Sequence, residues 1–149
     1  MSKYLKVETQ FKDAGLLQQA LADVCAARRI QYEQGEGLTL YGYQGKARPE
    51  RAEFVVRRGY ISRSANDLGF HRLPDGSFEI IISEYDSEHT SAAHIAREVK
   101  QRYARLKVEK VARARGLQVQ EIEGEGGVIR LRLVVPDNDR QRVRVRRGR

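Results

Sequence analysis

At 149 residues the chain is long enough to bury a core without staples, and 40% hydrophobic with 32% charged residues places it among soluble globular proteins rather than disordered chains. One cysteine excludes an internal disulfide, no apolar run approaches the roughly 20 residues of a membrane helix, and the N-terminus has no signal-peptide core, so a cytoplasmic protein is expected. The net charge of +8 is local: residues 97–115 and 140–149 contribute +6 each, which leaves about −4 for the rest.

Tyr4, Leu5, Val7 and Thr9 predict a first strand over 4–9. Asp13 is a suitable N-cap, and Leu17, Ala20, Leu21, Val24 and Cys25 recur at helical spacing, predicting a helix that ends near Arg28. Ile30–Gln34 and Leu38–Tyr43 predict a hairpin around Gly35-Glu36-Gly37, followed by a polar loop over Lys46–Glu50 that Pro49 marks as a break. Ala52–Arg57 is a β-branched run typical of a strand, and Arg58–Ala65, with Gly59 and two serines, suggests a loop. Pro74-Asp75-Gly76 is a turn between strands Leu68–Leu73 and Phe78–Tyr85. After a polar connection over Glu84–His89, Thr90 or Ser91 caps a long helix to about Arg115, with Gly116 just past its end. Its residues Ala92, Ile95, Ala96, Val99, Tyr103 and Leu106 face a core, and Val108, Val111 and Ala112 lie on another side. Leu117–Ile122 and Val128–Val135 predict a last hairpin around Gly124-Glu125-Gly126-Gly127.

The expected order is β-α-β-β-β-β-β-α-β-β. Ala27-Arg28-Arg29-Ile30-Gln31-Tyr32-Glu33 returns loosely as Ala114-Arg115-Gly116-Leu117-Gln118-Val119-Gln120, each copy ending a helix and running toward a glycine-rich turn. An α+β fold is therefore expected, with a mixed, mostly antiparallel sheet, two helices on one face and pseudo-duplicated strand-helix-hairpin units. One domain over 1–136 and a basic tail over 137–149 complete the expected organisation.

Catalytic signals are sparse. His89 and His94 are five apart, off the i, i+4 spacing that lets two imidazoles share a metal, and His71 stands alone. Asp67, Glu79, Glu84 and Asp86 are the compact carboxylate group of the middle strands, but alternation points Glu79 and Glu84 to opposite faces. Asp67 at a strand entrance suits a carboxylate that accepts backbone N–H bonds from a neighbouring turn. Cys25 lies in an apolar helical stripe as a buried hydrophobe. Gly42 and Gly45 are too far from a helix start to cradle a phosphate, and Ser62, Ser64, Ser83, Ser87 and Ser91 sit in no nucleophile elbow. No metal, cofactor or enzymatic activity is expected.

Basic residues point to binding. Arg97, Lys100, Arg102, Arg105, Lys107, Lys110, Arg113 and Arg115 spread around the non-core circumference of the second helix, which suits a solvated face as well as an anion-binding one. The tail is a charge block of Arg140, Arg142, Arg144, Arg146, Arg147 and Arg149, with Val143 and Val145 alternating between arginines. Arg102, Arg105, Arg113 and these six arginines are the candidate anion-binding residues. Neutralising about six phosphates predicts a log–log salt slope of about −4 to −5, without base specificity. Tyr41, Tyr43 and Tyr60 are candidates for stacking as well as for the rim of a core.

Several pieces, in order, resemble a known pattern: Thr9, Asp13, Leu17 and Ala20-Leu21; Gly42-Tyr43-Gln44-Gly45; the strand Ala52–Arg57; Asp67-Leu68-Gly69-Phe70; Phe78-Glu79; Gln101-Arg102-Tyr103-Ala104; and Gly127-Val128-Ile129-Arg130-Leu131. Over residues 3–135 the chain resembles the conserved hypothetical chloroplast frame thirty-five family. Two departures are the absence of a tryptophan after Glu79–Ser83 and the added arginine tail. The resemblance implies a small accessory or adaptor protein that docks onto a protein partner, an AAA-type ATPase. The alternative that the charge pattern supports is a non-specific RNA- or DNA-binding protein using the second helix and the tail. Neither reading involves a membrane.

Overall fold

A computed structural model describes residues 3–87, 90–123 and 129–136. The chain forms two compact units, Met1–Tyr103 and Ala104–Arg149. The elements are β1 (Tyr4–Glu8), α1 (Ala14–Arg28), β2 (Glu33–Tyr41), β3 (Ala47–Val56), β4 (Leu68–Arg72), β5 (Phe78–Ser83), α2 (Ser91–Ala114), β6 (Gln118–Glu123) and β7 (Ile129–Val134). The expected α+β class is present, built as a five-stranded sheet and a separate two-stranded one. Every strand pairing among the described residues is antiparallel. No helix among the described residues is long and apolar enough to cross a membrane.

In the first unit the sheet order is β1-β5-β4-β3-β2. Phe54 stands opposite Phe70, and Phe70 opposite Ile80, so large side chains line up across one face. Phe11, just before α1, packs against Phe70 and, at a ring distance of 4.6 Å, against Tyr103 of α2. Both helices therefore lie on that face. The ion pairs Arg28–Glu98 and Arg102–Asp23 join them side by side. Asp13 accepts from the Leu16 amide as the expected N-cap. The Tyr103 hydroxyl accepts from the amides of Lys12 and Asp13, each at 3.0 Å, which ties the start of α1 to α2. Ala92, Ile95, Ala96, Val99 and Tyr103 are buried as their spacing predicts.

The opposite face holds Leu40, Ala52, Val55 and Ile81, with Tyr4 and Leu38 packed on them. Gly69 belongs here for a steric reason. A Cβ on it would lie 3.0 Å from that of Ala52 and 3.1 Å from a Leu40 methyl, so only a bare backbone fits without displacing that layer.

Three expectations are corrected. Gly35-Glu36-Gly37 is not a hairpin turn: β2 runs through it as one strand, with a register shift between Gln34 and Leu38 opposite β3. Gly37, at φ +58°, supplies the left-handed residue of this bulge. The Lys46–Glu50 stretch is not a loop, because β3 starts at Ala47. Pro49 sits where the register shifts again between Thr39 and Tyr41, a place in the ladder that does not need its missing N–H. The chain reverses instead at Gly42–Lys46, where the Gly42 amide donates to the Lys46 carbonyl at 2.7 Å. With β2 counted as one strand, the order has four strands between the helices, not five. The two sequence copies thus differ in structure, one entering a bulged strand of the large sheet and the other the two-stranded sheet.

In the second unit, α2 ends as expected at Gly116, whose φ is +67°. The Leu117 amide reaches back to the Ala112 carbonyl at 2.8 Å, a Schellman closure that turns the chain toward β6. Val119 then faces Leu133 across the β6–β7 ladder. The turn at Gly124–Gly127, Val128, His89 and the tail arginines Arg140, Arg142, Arg144, Arg146, Arg147 and Arg149 lie outside the described residues.

Candidate partner-binding surface

The buried carboxylates of the first unit have structural partners. Asp67 is 1% exposed, and its oxygens accept from the Tyr41 amide at 2.8 Å, the Arg58 amide at 2.7 Å and Arg57 Nη1 at 2.7 Å. It is the backbone acceptor expected of a carboxylate at a strand entrance, extended by a buried ion pair. Arg57 also grips both oxygens of Glu33, at 2.9 and 3.0 Å, and donates to the Thr39 carbonyl. The bidentate bond to Glu33 and the bond to Asp67 hold the Arg57 pKa above its ordinary value. Asp86 accepts from the backbone and side-chain amides of Asn66, whose own Oδ1 caps the Tyr43 amide. Tyr4 donates to the Asp67 carbonyl at 2.9 Å, and burial pushes its phenol well above the usual range.

The middle-strand carboxylates do not converge. Glu79 is buried, Glu84 exposed, and no cluster of three His, Cys, Asp or Glu that could hold a metal exists among the described residues. His71 lies 3.1 Å from Glu53, and His94 contacts Arg97. Cys25 is buried and free, and burial raises its thiol pKa, which makes it a poor nucleophile. Tyr41, Tyr43 and Tyr60 stand partly exposed, with the Arg57 guanidinium over the Tyr41 ring at 5.5 Å.

The candidate anion-binding residues separate by unit. Arg102, in the first, is tied to Asp23 at 2.8 Å. Arg28 is likewise paired with Glu98, and Arg57 with Glu33 and Asp67. Arg105 and Arg113 share the second unit, where Arg105 holds Glu109 at 2.9 Å. Lys107, Arg113 and Arg115 are exposed, without a carboxylate partner among the described residues. Thirteen of the 28 Lys and Arg and six of the 20 Asp and Glu fall in 104–149, so the second unit carries +7 and the first +1.

An open groove of about 370 Å³ lies within this second unit, lined by Arg105, Glu109, Ala112 and Arg113 of α2 and by Leu117, Gln118 and Val119. Its floor was not visible in the sequence. Leu117 and Val119 read as strand residues and Ala112 as a helix residue, and only the Schellman turn brings them together. Gly116, read as a helix stop, was the available signal.

The carboxyls of Glu98 and Glu33 are held below the usual 4.5, each chiefly by a hydrogen bond from its arginine, Arg28 and Arg57. A depressed folded-state pKa stabilises above the unfolded value, and that stability is lost as pH falls through the folded one. The thermal midpoint is therefore expected to decline below about pH 4.5, gently because both groups are half exposed. Glu98→Gln should flatten part of that decline in a pH series of melts; an unchanged slope would remove the ion pair from the account.

Neither a curated protein nor a solved structure matches the chain. A family model matches residues 26–132. It corrects the resemblance drawn from the motifs, since nothing in the match links the chain to the chloroplast frame thirty-five proteins. The quoted motifs do structural work that reports architecture: the Gly42–Gly45 turn, the Asp67 contacts beside Gly69, and the Tyr103 hydroxyl on α1. The AAA-type ATPase expectation stood on that resemblance and has no other support. Covering more than half of its length, the match shows that the chain belongs to the family described as protein of unknown function, DUF1257.

Proposed function

We propose that this protein is a non-catalytic accessory protein that holds an anionic macromolecular partner through its second unit. The observation that carries this reading is the segregation of charge: +7 in residues 104–149 against +1 in the preceding 103. In the first unit Arg28, Arg57 and Arg102 are paired with carboxylates, and in the second Lys107, Arg113 and Arg115 are exposed. Clustered exposed cations raise the local concentration of anions and speed their association, and salt weakens both effects.

The test is capture from native cell extract by the full chain and by a Lys107→Glu, Arg115→Glu double variant, with and without nuclease. A stoichiometric partner that elutes with salt and falls about tenfold with the variant is expected. Loss of the captured material on nuclease treatment would identify the alternative, RNA or DNA, as the partner. Recovery of nothing, or equal recovery by both chains, would overturn the proposal.

A further inference from the structure

The groove of the second unit has two chemistries side by side. Ala112, Leu117 and Val119 form an aliphatic floor, and Arg105 and Arg113 stand beside it. Glu109, the acid of the groove, is locally neutralised by Arg105. Arg113 is exposed, and no ion pair holds it among the described residues. The volume of about 370 Å³ falls at the low end of ligand-sized pockets, roughly 300–1,000 Å³.

The composition of this unit discriminates between classes of anion. Residues 104–149 include no aromatic side chain and no histidine. Single-stranded nucleic acid is gripped largely by stacking bases on aromatic rings, and nothing here provides that platform. A phosphate backbone would use the cations and leave the aliphatic surface wet. Besides the groove floor, Val111, Leu133 and Val135 of this unit are 40–51% exposed. Among the described residues the β6–β7 sheet has two strands, an arrangement that is marginal alone and gains from a third.

Resting on the anionic-partner reading and deepening it, we propose that this groove docks an extended acidic segment of a partner protein. Its carboxylates meet Arg113, and its aliphatic side chains cover Leu117 and Val119. Charge selects the segment, and aliphatic contact with the floor adds to the affinity.

Fluorescence anisotropy with the full chain tests this, using three labelled probes. One is a peptide of about twelve residues alternating Glu with Leu and Val, the second replaces its aliphatic residues by Ser, and the third is an oligonucleotide of matching charge. The acidic-aliphatic peptide is expected to bind at least about tenfold tighter than either other probe. Leu117→Gln and Arg113→Gln should each weaken it about fivefold or more, while Lys6→Gln, exposed on β1 of the first unit, changes it less than about twofold. Thermal melts of each variant separate loss of the groove from loss of fold, and Arg113→Gln, at an exposed position, provides the cleaner comparison. Equal binding of the two peptides, preference for the oligonucleotide, or wild-type affinity in both groove variants would overturn the groove while leaving the anionic-partner reading standing. Failure of the full chain to bind any of the three anionic probes would sink both.

Discussion

Asp67→Ala is expected to lower the unfolding free energy by about 3–5 kcal/mol, the usual cost of removing one partner from a buried ion pair. The carboxylate is 1% exposed and satisfies three donors at once: the Tyr41 amide from β2, the Arg58 amide after β3, and the Arg57 guanidinium. Alanine would leave the two amides without their acceptor and the buried end of Arg57 with only the Thr39 carbonyl and the more exposed Glu33. Each stranded buried donor carries its own desolvation cost. Asp67→Asn keeps the shape and one carbonyl acceptor but removes the charge, so a smaller loss of about 1–3 kcal/mol is expected. Urea unfolding curves measure both. A wild-type midpoint in the alanine variant would mean that Asp67 does not hold this corner of the sheet together.

Phe70→Ala is expected to cost a similar amount, about 3–5 kcal/mol, through a different mechanism. Phe70 is fully buried on β4 between Phe54 and Ile80 of the neighbouring strands. Its ring lies 6.5 Å from Phe11, which in turn stacks on Tyr103 of α2. Truncation would open a cavity where the sheet meets the helices, and close packing on all sides prevents its full collapse. Phe70→Leu fills most of that space and should lose only about 1–2 kcal/mol. The denaturant midpoint should shift with little change in slope, because the surface exposed on unfolding is nearly the same. Equal losses in the two variants would show that ring geometry, rather than volume, matters at this position.

The reach of the sequence follows from the range of each interaction. The α1 stripe from Leu17 to Cys25, the Asp13 cap and the Gly116 stop involve residues within about four positions of one another, and all are present. The Pro74-Asp75-Gly76 turn is equally local, and β4 and β5 pair around it. The motif Gly35-Glu36-Gly37 is the instructive failure. Two glycines serve a hairpin turn or a bulge equally well, and the choice depends on whether the next strand pairs before or after them. Here β3 pairs on both sides, with Gln34 opposite Phe54 and Leu38 opposite Ala52, so the strand continues through the glycines. Pro49 misled for the same reason: a proline breaks a regular ladder but not one that is already bulged.

The candidate surface was half legible. Net charge and its position along the chain are properties of composition, and the sequence by itself placed the excess in the second helix and the tail. It did not tell Arg102 from Arg113. Arg102 is tied to Asp23, seventy-nine positions away, while Arg113 stands at the groove. The sequence singled out Asp67 as a backbone acceptor but did not show its buried ion pair with Arg57, which the fold brings to it. The sequence determined the helices, their caps, the β4–β5 hairpin and the charge distribution, because these rest on spacing and composition. Tertiary structure decided strand continuity, which cations are neutralised and where an aliphatic floor meets an arginine, because each requires a partner distant in the chain or a turn that brings side chains into register.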